Sequence, residues 1–185
     1  MSATKFEYCI QTIQITYTLS GVIFMNQKKQ LKCYIWAGII FVLITGTLSH
    51  FLYEWTNKNV IAGLFTPVNE SIWEHMKLVF FPMLIYSSLL ISKLKNTYPC
   101  IISALCFGIL AGTVCIPAFF YSYTFITGKS ILIIDLAIFL FSTIIAFFLS
   151  YQLTLSCKLQ AYTSFLCILV LILFVCFMLF TYRPN

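Results

Sequence analysis

Six residues carry most of the acid–base and metal-binding chemistry open to this chain: His50, Glu54, Glu70, Glu74, His75 and Asp135. The whole sequence has five acidic residues and two histidines, so only Glu7 stands apart from this set. His50 and Glu54 are four residues apart and share one face of a helix, with Thr47 a turn earlier. Glu70 and Glu74 repeat that spacing, Lys77 extends their stripe, and Ser71 with His75 forms a second four-residue pair on the adjacent face. Mixed imidazole and carboxylate donors suit a divalent zinc, manganese or iron ion, for which His50, Glu54, Glu70, His75 and Asp135 are the candidate ligands. Glu70, Glu74, His75 and Lys77 are the candidate catalytic groups. A carboxyl crowded by its neighbours can serve as a general acid or base even without a metal. Asn69, Ser71, Tyr121 and Tyr123 are candidate supporting residues. None of the His-Glu-x-x-His type of zinc motifs occurs.

A plainer reading accounts for part of this set. Thr66-Pro67 reads as a helix N-cap followed by proline in the first turn, and Ser71 with Glu74 fits a capping box. Acids near a helix start also suit its dipole. Capping does not explain Glu54 at the C-terminal end of a helix, nor His75 beside Glu74. Asp135 could pair with Lys129 or Lys77, and an ion pair with Glu74 is the simpler role for Lys77.

The elements that position these groups are apolar. Of 185 residues, 61% are hydrophobic and 9% charged, far from the balance of a water-soluble domain. A helix needs about 20 apolar residues to cross a bilayer core of roughly 30 Å, and lipid leaves backbone amides no partner outside the helix. The expected fold is all-α: a polytopic helical membrane bundle with spans at about 33–53, 73–92, 98–121, 131–151 and 161–182, all in one domain from 25 to 185. Residues 1–24 form a poorly defined extension, and Lys28, Lys29 and Lys32 make Met25 a natural start. Ala104, Gly108 and Gly112 mark a close helix–helix seam, and Pro82 and Pro117 should bend their spans.

Lys28, Lys29, Lys32, Lys93, Lys95 and Lys158 fall on one side of this topology, against Lys58, Lys129 and Arg183 on the other. This places the N-terminus in the cytoplasm of a cell membrane. All six titratable residues then converge towards the outer face, and charges beside hydrocarbon are costly enough to point to function. The net charge of +6 comes from scattered lysines without a basic face, which excludes nucleic acid as a partner. The eight cysteines match no zinc or haem spacing and read as small apolar packing residues. Gly128-Lys129-Ser130 lacks the glycine of a phosphate loop, and Asn69-Glu70-Ser71 fits the glycosylation pattern where a helix begins.

The stretch from His50 to Pro82, and above all Pro67-Val68-Asn69-Glu70-Ser71-Ile72-Trp73-Glu74-His75-x-Lys77 with His50-x-x-x-Glu54 upstream, resembles DUF6512, a family of small bacterial multipass membrane proteins. The resemblance covers residues 25 to 185. It implies a start near Met25 and a short polar tail after the last span, and it implies no activity. Three functions are open to such a site. One is a metal-dependent intramembrane hydrolase or lipid-modifying enzyme. Another is a protein that binds or transports a cation, protons or a cationic ligand. The third is an accessory subunit that docks an unknown protein partner.

Overall fold

The computed structural model describes the backbone of residues 3–182 and the side chains of residues 25–182. The expectations that turn on side chains before Met25, and on Arg183, lie outside them. The chain divides into two units, 1–34 and 35–185. The first is helical from Ala3 onward, and the second holds every candidate residue.

Six α-helices follow one another: α1 (Ala3–Trp55), α2 (Val60–Phe65), α3 (Ile72–Leu94), α4 (Ile101–Thr127), α5 (Leu132–Ser156) and α6 (Thr163–Phe180), the last preceded by a 3-10 turn at Gln160–Tyr162. No strand occurs among the described residues. Among the described residues, five segments are long and apolar enough to cross a membrane: Met25–Trp55, Ile72–Leu94, Ile101–Thr127, Leu132–Ser156 and Gln160–Phe180. The protein is thus an all-α bundle with five span-capable helices, as the apolar runs require. The Gln160–Phe180 segment combines a mean hydropathy of 2.9 with only 17% burial, so most of its apolar surface faces outward, an arrangement compatible with lipid as solvent.

Helix ends follow local chemistry. Asn57 and Lys58, with φ of 53° and 59°, take the left-handed conformation just after α1. Gly128, at φ 69°, caps α4 in the same way and lets that helix run six residues past the expected 121. Two results differ from expectation. The connection after α1 contains a helix, α2, started by Asn59, whose side chain accepts from the amides of Ile61 and Ala62. Thr66 ends that helix instead of capping the next one: Pro67 disfavours helical geometry at the residue before it, and Thr66 is extended, with φ −125° and ψ 159°.

Helix α4 packs against α3, α5 and α6. Its small-residue seam faces α5: a Cβ at Gly112 would lie 2.6 Å from the Ala146 Cβ, and one at Gly108 would lie 2.7 Å from the Ala146 carbonyl. The segment of α1 after Ile35 meets α3 and α5, with the Phe41 and Tyr86 rings 5.5 Å apart and Gly38 against Phe147. This up-and-down course gathers the end of α1, all of α2, the start of α3, the α4–α5 turn and the end of α6 at one end of the bundle.

Candidate functional site

The last turns of α1 present His50 at that end, and the first turn of α3 presents His75. Between them, the Asn69 side chain accepts the Ser71 amide at 2.9 Å, a tight turn that leaves Glu70 projecting just before the helix. Ser71 is the N-cap of α3, its hydroxyl accepting the Glu74 amide at 3.4 Å.

Glu70 bridges the two imidazoles. Its Oε2 lies 3.4 Å from His75 Nε2 and its Oε1 lies 3.8 Å from His50 Nε2. The Nδ1 of His75 is 2.9 Å from the Ser71 carbonyl, an acceptor, so Nδ1 is the donor there, and Nε2 faces the Glu70 carboxylate. One nitrogen or oxygen from each of His50, Glu70 and His75 lies within 4.8 Å of the other two. Tetrahedral zinc bonds of this kind set donor atoms about 3.3 Å apart, so the set would have to contract to close on an ion. The Glu70 side chain is 82% exposed and each histidine side chain 30% exposed, so the centre is open on one side. A cleft of about 60 Å³ adjoins it, lined by His50, Tyr53, Glu54, Pro67, Asn69 and Glu70 among others. Glu54 lines this cleft together with His50 and Glu70.

The other predicted residues stand in two separate arrangements. Glu74 and Lys77 are buried, at 2% and 1% exposure. The Lys77 ammonium donates to the Glu74 carboxylate at 2.8 Å, to the Gly63 carbonyl at 3.2 Å and to the Thr181 hydroxyl at 2.7 Å. The Val68 amide donates to the same Glu74 carboxylate at 3.0 Å. Neighbouring residues on a helix point about 100° apart, so Glu74 turns into the bundle while His75 turns towards Glu70. Neither Glu74 nor Lys77 lines that cleft. Asp135 accepts a hydrogen bond from the Tyr123 hydroxyl, whose oxygen in turn accepts the Ile131 amide at 3.1 Å. This pair organises the α4–α5 turn in place of the expected contact of Asp135 with a lysine. Tyr121 is 63% exposed.

Two features escaped the sequence reading. The ends of α2 and α6 complete the Lys77 network, and Tyr182 reinforces it by donating to the Val60 carbonyl at 2.8 Å. Cys100 and Cys157, expected to be packing residues, form a disulfide at the opposite end of the bundle. Their place at the mouths of two connections on one side was the available signal.

The sequence from residue 23 to residue 185 matches the model of a family of unknown function, DUF6512. The chain belongs to the DUF6512 family. No curated protein and no solved structure matches it. The region shared with DUF6512 includes the His50–Glu70–His75 centre, the Glu74–Lys77 pair, Asp135 and both disulfide cysteines.

Proposed function

We propose that this protein is a divalent-metal-dependent membrane enzyme, a hydrolase or lipid-modifying enzyme, whose ion is held by His50, Glu70 and His75. The observation that carries this reading is the approach of three donor atoms from α1, α3 and the turn before α3 to within 4.8 Å of one another. Two imidazoles and one carboxylate form a ligand set used by catalytic zinc, and three protein ligands leave a position for water or substrate. A bound divalent ion supplies acidity to that water and polarises the bond to be cleaved. The Ser71 carbonyl fixes the His75 tautomer, and Glu70 carries the negative charge that holds the ion. Glu54, across the small cleft, is the group available to take a proton from attacking water.

The substrate class that suits this position is a lipid-linked or peptide bond presented at the membrane surface. With the lysine-rich connections in the cytoplasm, the site opens on the outer face of the cell membrane. Passage of an ion across the bilayer draws less support. Below the site, the hydroxyls of Thr143, Ser150 and Thr154 each donate to a carbonyl of their own helix.

Metal content of the protein purified in detergent, compared with His75→Ala and Glu70→Gln, tests the proposal. Wild type should hold close to one equivalent of zinc or manganese, and each variant should lose at least tenfold in affinity. A wild-type protein that neither copurifies with nor takes up such an ion removes the enzyme reading, leaving a proton site or a docking surface.

A further inference from the structure

The disulfide between Cys100 and Cys157 joins residues 57 apart, with Cα atoms 5.3 Å from each other. Its two sulfurs have unlike surroundings. Cys100 is the N-cap of the 27-residue helix α4 and is 1% exposed. Cys157 is the left-handed C-cap of α5, with φ 53°, and is exposed. Lys158 follows it directly, and Lys93 lies in the last turn of α3 with Lys95 as its C-cap. The Oε1 of Gln160 is 3.3 Å from the Cys100 sulfur.

We propose that this bond is a thiol–disulfide exchange site, opened and closed by a small cellular thiol of the glutathione class, with the Cys157 sulfur as the atom attacked. Exchange begins when a thiolate reaches one sulfur and expels the other. Cys157 is the more exposed of the two residues, and the Lys158 ammonium next to it in sequence favours the approach of an anionic thiolate. The expelled sulfur belongs to Cys100, at the N-cap of α4, where the helix dipole favours a thiolate. The new bond joins the small thiol to Cys157, the Cys100–Cys157 bond breaks, and Cys100 leaves with the electron pair. It then takes a proton from water, and the resulting S–H has Gln160 Oε1 as a hydrogen-bond acceptor. A second small thiol attacks the mixed disulfide, releasing Cys157 as a thiol and the small disulfide as product. The reverse sequence consumes that small disulfide and closes the bond again. The lysines mark this end as cytoplasmic in the proposed orientation, where persistent disulfides are rare and reversible ones serve redox chemistry.

The experiment uses the whole protein in its native membrane. Millimolar glutathione is added, the reaction is stopped early by alkylation, and the glutathione adduct is located by mass spectrometry. The expected result is reduction without denaturant, with the adduct on Cys157. Treatment of Cys100→Ser with glutathione disulfide should give a stable adduct on Cys157, and Cys157→Ser should give at least tenfold less adduct on Cys100. The wild-type measurement stands by itself if either variant fails to fold. A bond that resists glutathione in the folded protein, or an adduct that forms first on Cys100, overturns the proposal.

Discussion

The Lys77 ammonium donates to the Thr181 hydroxyl at 2.7 Å, across 104 residues of sequence. With Glu74 and the Gly63 carbonyl as its other partners, the three donors of this ammonium tie together α2, α3 and the end of α6. Glu74 also holds the Val68 amide, just ahead of Glu70. A buried ion pair is thereby coupled to the position of an exposed carboxylate.

Lys77→Met should be strongly destabilising, because it leaves the buried Glu74 carboxylate without its counter-charge. Removing one partner of such a pair costs about 3–5 kcal/mol. Adding Glu74→Gln should recover part of that loss. Thermal unfolding in detergent, followed by circular dichroism, checks both; a single variant as stable as wild type would show that the pair contributes little.

Gly112→Val should disrupt the seam between α4 and α5. The added Cβ would meet the Ala146 Cβ at 2.6 Å and the Ser142 carbonyl at 3.2 Å, and a helix backbone cannot swing away as a flexible side chain can. Overpacking of this kind costs about 1–3 kcal/mol, read as a lowered midpoint in the same unfolding measurement.

Tyr123→Phe should leave metal binding at the His50 centre within about twofold of wild type. The Tyr123 hydroxyl serves Asp135 and the Ile131 amide in the α4–α5 turn, so its loss should instead lower stability by about 1 kcal/mol. Titration with cobalt, monitored by absorbance, separates the two effects. A loss of affinity comparable to that of His75→Ala would tie Asp135 to the proposed metal site.

Tyr182 should ionise above the usual phenol range. Desolvation raises its pKa, and the charges of Tyr53 and Glu74 add to the shift. The folded state therefore favours the neutral phenol that donates to Val60. Its contribution to stability is fully present below about pH 10 and is lost as pH rises through the folded value. Ultraviolet titration of wild type against Tyr182→Phe should show a difference centred above pH 10; one centred at or below it contradicts the assignment.

Much of this was legible in the sequence, for identifiable reasons. The five long helices follow from apolar runs that exceed what any soluble element needs, and the seam at Gly108 and Gly112 follows from their four-residue spacing. The encounter of His50, Glu70 and His75 was foreshadowed by rare polar groups at one end of separate spans. The partition of the acids was harder to read. Helical spacing grouped Glu70 with Glu74, yet Glu70 precedes the helix, in a turn shaped by Asn69, so the four-residue rule does not govern it. The partners of Lys77 come from Gly63, a backbone carbonyl, and Thr181, and neither advertises itself in a linear pattern. The disulfide was hidden because its cysteines are far apart in sequence and lie among apolar residues.

The dependence of Lys77 on Thr181 also fixes an order of events during biosynthesis. When α3 leaves the ribosome, the hydroxyl that will complete its buried ammonium has yet to be translated. The Glu74–Lys77 pair, the Gly63 carbonyl and the Val68 amide all come from chain already made, so only the hydrogen bond to Thr181 awaits the final helix.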